Sequence, residues 1–147
     1  MASPSQSKVC LFFDNVRFHL PNRNVLKQFA IRLARNEGVT LAELNIIFCN
    51  DARLLEINRS FLKHDYYTDI ITFDLTPQGS KTKEAEIYIS IDRVRENAAL
   101  QGTSFKSEIH RVIFHGILHL CGYKDKSKED KELMREKETE YLERYFR

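Results

Sequence analysis

Apolar residues along the chain alternate between two periods. Residues 9–14, VCLFFD, are dense in β-branched and aromatic side chains and read as a strand. Residues 22–38 change period: Val25, Phe29 and Leu33 recur at i, i+4 and i+8, which predicts a helix with Gly38 closing its C-terminus. A strand follows within 41–49. A helix is expected over 51–62, with Asp51 as N-cap and Leu54, Ile57 and Phe61 on its inner stripe. Residues 68–75 and 85–92 read as two more strands around the turn-forming TPQGSK, and AEIYISID alternates between faces. The remainder predicts helices over about 92–100, 104–121 and 128–146. The order β-α-β-α-β-β-α-α-α implies an α+β (α/β layered) domain, with about four strands in a mixed sheet covered by helices.

Length and composition narrow the class. At 147 residues, 42% hydrophobic and 30% charged, the chain fits one soluble globular domain spanning 1–147. No apolar run approaches the roughly 20 residues that cross a bilayer. MASPSQSK lacks the apolar segment of a secretory leader, so a cytoplasmic protein is expected. Cys10, Cys49 and Cys121, odd in number and in apolar surroundings, read as reduced thiols. A net charge of +2 does not by itself imply nucleic-acid binding. Residues 1–36, however, carry six basic side chains against Asp14 alone, a bias that suits phosphates or a solvated helix face equally. The stretch 124–147 is balanced, with eight of each sign.

The helix over 104–121 carries the unusual chemistry. Apolar residues surround most of it, the mark of a buried helix. Yet Glu108, Arg111, His115 and His119 follow one another at spacings of 3, 4 and 4, forming a single polar stripe. Buried polar groups need partners, or they cost several kcal/mol. Two histidines at i and i+4 can share one metal ion, and Gly122 permits a bend that returns Asp125 toward them. His115, His119 and Asp125 are therefore the candidate metal ligands of a zincin-like site on a buried helix, open to water and substrate as catalytic sites are. The spacing follows the elongated zinc motif H-E-x-x-H-x-x-G-x-x-H. Gly116 replaces the glutamate that serves peptide hydrolysis, which argues against that reaction.

The stretch HGILHLCGYKD resembles the signature of the YbeY family, bacterial endoribonucleases of ribosomal RNA maturation, whose pattern is His-Gly-x-Leu-His-Leu-x-Gly-Tyr-Asp-His. His115, Gly116, Leu118, His119, Leu120, Gly122 and Tyr123 match it. INRSFLKHDYYTDIITFD is similar to a second family segment and AEIYISID to a third, and Glu108 matches an upstream acid, so the likeness runs from about Asn45 to Met134. Two positions depart from it. Lys124 and Asp125 stand where the family has Asp-His, and Leu62 stands where it has an arginine. The resemblance implies a metal-dependent cut in single-stranded RNA, acting on ribosomal RNA precursors and in contact with the small ribosomal subunit. One zinc ion per chain is expected; two histidines and one carboxylate also suit iron(II) or manganese. Arg59, Glu108 and Arg111 are the candidate catalytic residues. Arg59 and Arg111, with Lys124, are candidate phosphate partners, and Glu108 is the candidate base. Tyr66 and Tyr67 are candidates for stacking on unpaired bases, or for filling grooves. Two other functions fit the residues: a ribosome-associated RNA-binding factor with a structural metal, and a hydrolase of another substrate.

Overall fold

The structure is a computed structural model and describes residues 7–147. The leader-free reading of the N-terminus concerns residues that lie mostly outside this range. Four strands, β1 (Lys8–Phe13), β2 (Leu41–Cys49), β3 (Ile70–Asp74) and β4 (Lys83–Ser90), form one sheet in the order β1-β2-β4-β3. β1, β2 and β4 run parallel, and β3 is antiparallel to β4 at the edge, so the sheet is mixed as expected. Five helices accompany it: α1 (Arg23–Asn36), α2 (Asp51–Leu62), α3 (Ile91–Gln101), α4 (Phe105–Leu120) and α5 (Lys128–Tyr145).

Alternation along the strands sorts the two faces. Leu44, Ile46 and Phe48 of β2, with Ala85, Ile87 and Ile89 of β4, point into the main core among α1, α3, α4 and α5. Cys49 and Ile71 join Leu54 and Ile57 of α2 in a smaller core, with Tyr88 and Phe73 packed at its margin. α4 lies at the centre, with Ile109, Ile113, Phe114, Ile117 and Leu118 fully buried. It can lie this close to the sheet because Gly116 has no side chain. A Cβ there would come within 2.9 Å of both Ile70 and Ile87 Cδ1.

Three local expectations are corrected. Asn50, not Asp51, caps α2: its side chain accepts from the Arg53 amide, and Asp51 opens the first turn. Val25 is 54% exposed, because the buried stripe of α1 is carried by Leu26, Phe29, Ala30 and Leu33, one residue round the helix. Phe61 is 71% exposed at the end of α2, where its ring stands 6.1 Å from that of Phe73 in the edge strand β3 and otherwise faces solvent. Gly38 does follow α1 in a left-handed conformation (φ 85°). The Gly38 and Val39 amides donate to the Arg35 and Ala34 carbonyls in a Schellman turn. Cys10, Cys49 and Cys121 are unpaired, and burial pushes the Cys49 and Cys121 thiols up to about 12, consistent with packed thiols. No helix among the described residues is long and apolar enough to cross a membrane.

Candidate active site on the buried helix

The polar stripe of α4 faces a cavity of about 530 Å³. Glu108, Arg111, His115 and His119 all line it, and α3, α5 and the start of β3 complete its walls. A helix mostly apolar on its other sides thus turns these four polar side chains into open space.

The path of the chain brings Asp125 to the same place. α4 ends in a second Schellman turn: Gly122 (φ 105°) donates to the His119 carbonyl and Tyr123 to that of Leu118. α5 begins in a capping box between Ser127 and Asp130. Between these two fixed ends the Tyr123 hydroxyl donates to Glu37 Oε1 at 2.7 Å, tying the connection to the end of α1. Asp125 Oδ2 then stands 3.8 Å from His115 Nε2, and both residues line the cavity.

His115 is held from behind. Its Nδ1 lies 2.6 Å from Glu138 Oε2, and Arg111 Nη1 donates to the other Glu138 oxygen at 3.2 Å. That contact fixes the ring and leaves Nε2 facing the cavity. The His119 ring lies parallel to it, tilted by only 4° with centroids 6.5 Å apart, and is exposed. Two imidazoles and a carboxylate on one wall form a donor set suited to a divalent ion. The 3.8 Å gap between His115 and Asp125 is longer than a hydrogen bond and close to the about 3.3 Å that separates two donors sharing one tetrahedral ion. Among the described residues, no three His, Cys, Asp or Glu side chains stand gathered around a single point. His119 and Asp125 are both exposed.

Electrostatics set this cavity apart from the packed interior. Glu108 is 3% exposed, yet its Oε1 has no hydrogen-bond partner; Arg111 Nε, 3.8 Å away and also unpartnered, is too far to donate. Burial pushes the Glu108 carboxyl up, with Arg111 opposing. Asp69, at the entrance to β3, is likewise pushed up by burial, with His115 opposing, and its Oδ2 accepts from Asn97 at 3.3 Å. For His115, burial works against the charged ring, but the Glu138 hydrogen bond and surrounding carboxylates prevail and raise its pKa. His110, on the same helix, provides the contrast. It is buried away from the cavity, bonded through Nδ1 to the Lys106 carbonyl and stacked on Tyr145, and burial holds its pKa down.

Arg59 does not line the cavity. It lies exposed on α2 and pairs with Asp65. Glu138 and Asp69 were not singled out for the site from the sequence, although both line the cavity. Glu138 left a signal: it falls on the buried stripe of α5 with Met134, Tyr141 and Leu142, where an acid is out of place.

A mixed sheet packed on a core helix that opens its polar stripe into a cavity defines an α+β protein of the kind that carries its chemistry on an internal helix. Comparison with known proteins makes the class specific. The family model for endoribonuclease YbeY matches residues 13–146. A Cytophaga hutchinsonii protein named endoribonuclease YbeY is 47% identical over 137 residues, covering 93% of this chain and 95% of its own length. One of the same name from Parabacteroides distasonis is 39% identical, covering 91% and 93%. The solution structure of a Thermotoga maritima protein superposes with a TM-score of 0.63 at 26% identity, covering 94% of this chain and 89% of that one. The chain belongs to the YbeY family.

Proposed function

We propose that this endoribonuclease cuts single-stranded ribosomal RNA precursors in the cavity beside α4, with a divalent ion held by His115, His119 and Asp125. The observation that carries the reading is the arrangement of His115: Glu138 holds its Nδ1 at 2.6 Å and leaves Nε2 toward Asp125 at 3.8 Å. A carboxylate behind a histidine fixes its tautomer and raises its basicity as a ligand. Asp125 replaces the imidazole of the family pattern and keeps a donor at that place. Zinc is the proposed ion, one per chain, and a set of two histidines and one aspartate also accommodates iron(II) or manganese. When bound, the ion lowers the pKa of a water and offsets charge on the phosphate.

The chain's own residues supply the rest. Arg111 lies in the cavity wall and is set to pair with a phosphate oxygen, since a guanidinium fork matches that geometry. Glu108, which lines the cavity and whose burial favours the protonated form, is the proposed group that exchanges a proton with the reacting groups. Arg59, outside the cavity, contacts the strand beyond the cut. Contact with the small ribosomal subunit and a cytoplasmic location accord with such a substrate. Gly116 packs against the sheet and not the cavity, so even a glutamate there would not face the ion as it does in peptide-cleaving enzymes.

The test is cleavage of a single-stranded ribosomal RNA fragment by purified protein with and without a chelator. Cleavage that stops with chelator and returns with added divalent metal is expected. Cleavage unaffected by complete metal removal contradicts the reading.

A further inference from the structure

Beyond the cavity, residues 63–67 present two aromatic rings to solvent in an unusual way. Tyr66 is 56% exposed and Tyr67 53%. Exposed tyrosines ordinarily sample several rotamers, but each of these is braced on one side. The His64 ring stacks on Tyr66 at a 5.2 Å centroid distance and 20° tilt, and the Tyr66 hydroxyl lies 3.0 Å from His64 Nδ1. The Arg93 guanidinium stands over Tyr67, 4.9 Å from its centroid, and is itself fixed by two contacts with the Asp51 carboxylate at 3.2 and 3.0 Å.

The backbone beneath is fixed as well. α2 ends with Lys63 in a left-handed conformation (φ 58°), and the His64 amide donates to the Asn58 carbonyl. Asn58 is 1% exposed, and its buried Nδ2 donates to the Tyr66 carbonyl at 2.9 Å. A fully buried amide is thus committed to holding a surface loop in shape. Arg59, through its pair with Asp65, is tied to this same loop.

The loop adjoins the site. Thr68 and Asp69, the next two residues, line the cavity. Arg93, which braces Tyr67, is one helical turn before Asn97 on α3, and Asn97 lines the cavity and bonds Asp69. The residue that braces the ring is therefore about 6 Å along α3 from one that lines the cavity wall.

We propose that Tyr66 and Tyr67 form a stacking platform for unpaired bases of the RNA strand, next to the phosphate that is cut. The proposal deepens the reading of the cavity as the site of RNA cleavage and rests on it. A ring with one face backed by a cation or imidazole and the other open is pre-set for a planar, π-bearing ligand, and little rotamer entropy is left to lose on binding. Lys63 adds positive charge to the same loop, which suits the sugar-phosphate chain between stacked bases, while Arg59 and Arg93 are paired with Asp65 and Asp51 and serve to hold the loop and the Tyr67 ring. Stacking also selects single strands, because paired bases hide their faces.

The experiment measures binding of a short fluorescent single-stranded oligoribonucleotide to intact protein in chelator, by anisotropy, and cleavage of the same strand with metal restored. Tyr66→Ala and Tyr67→Ala are each expected to weaken binding about tenfold. Tyr66→Phe and Tyr67→Phe should bind within about twofold of wild type, since the ring is retained, and duplex RNA should bind all five proteins alike. Wild-type affinity in both alanine variants, with cleavage intact, overturns the platform alone and leaves this rim as a face for a protein partner. A wild-type protein that neither binds nor cuts the strand overturns both the platform and the reading of the cavity.

Discussion

Two glutamates, Glu37 half-buried at the end of α1 and Glu108 buried on α4, show how this chain separates structure from chemistry. Glu37, at the end of α1, accepts hydrogen bonds from the Tyr123 and Tyr141 hydroxyls and lies 3.6 Å from Lys137. Burial alone would raise its pKa, but these donors outweigh burial and lower it. Glu108, on α4, is more deeply buried and has an oxygen with no donor, so its pKa rises. The first carboxylate is satisfied and joins three elements. The second is kept unsatisfied beside an open cavity, a state that folding alone does not favour. Glu108 Oε1 and Arg111 Nε, both without a partner, face the cavity, and the clamp at Glu37 holds the turn that carries Asp125 to it.

The largest effect that sharpens this contrast is expected at Glu138, which ties α5 to α4 at the cavity by bonding both His115 and Arg111. Glu138→Gln should weaken divalent-ion affinity about 10- to 100-fold, read by calorimetric titration of metal into metal-free protein. Unchanged affinity would remove Glu138 from the support of His115. Next come the two glutamates themselves, with opposite signs. Glu37→Gln should destabilise the metal-free protein by about 1–3 kcal/mol at neutral pH, measured by urea unfolding. Glu37 binds protons more weakly when folded, so its contribution is complete above its ordinary value of 4.5 and is lost as pH falls through the lower folded value. The variant's stability should therefore fall less steeply in acid. Glu108 binds protons more tightly when folded, so its penalty is absent below 4.5 and grows as pH rises through the higher folded value. Glu108→Gln should leave stability at neutral pH unchanged or raise it by about 1 kcal/mol. A loss of the same size as that of Glu37→Gln would erase the distinction between them.

The smallest effect concerns Gly116. Alanine there gains about 1 kcal/mol of helix propensity but forces Ile70 and Ile87 aside, at a cost of about 1–3 kcal/mol. A net loss near 1 kcal/mol in the same unfolding assay is expected, as roughly the difference of those two quantities. A clear gain would mean that the sheet yields freely and that close approach does not depend on glycine.

Periodicity made the fold readable. The nine elements of the described residues lie within a few residues of where apolar spacing and turn chemistry put them, because each buries one face against the sheet or a neighbouring helix. It failed at two helix ends. Phe61 has the right spacing but meets only the edge strand, through the Phe73 ring, and stays 71% exposed, and Val25 sits one position off the true stripe. The α4 stripe was legible in the site because four polar residues shared one side of an otherwise apolar helix. Glu138 was harder to see because α5 is charged almost throughout, so one buried acid is hidden among exposed ones. Asp69 owes its place to β3 running antiparallel at the sheet edge, a pairing that local sequence does not encode.

The central claim is that His115, His119 and Asp125 hold one ion, and elemental analysis of untagged protein tests it most directly, with His119→Ala alongside. His119 is exposed and packs into no core, so the variant should unfold at the wild-type midpoint. Close to one divalent ion per wild-type chain is expected, and less than about a tenth of that in the variant, since loss of a ligand should cost at least what loss of its supporting partner does. Equal metal in the two proteins, or none in wild type after incubation with zinc, iron(II) and manganese, would contradict it.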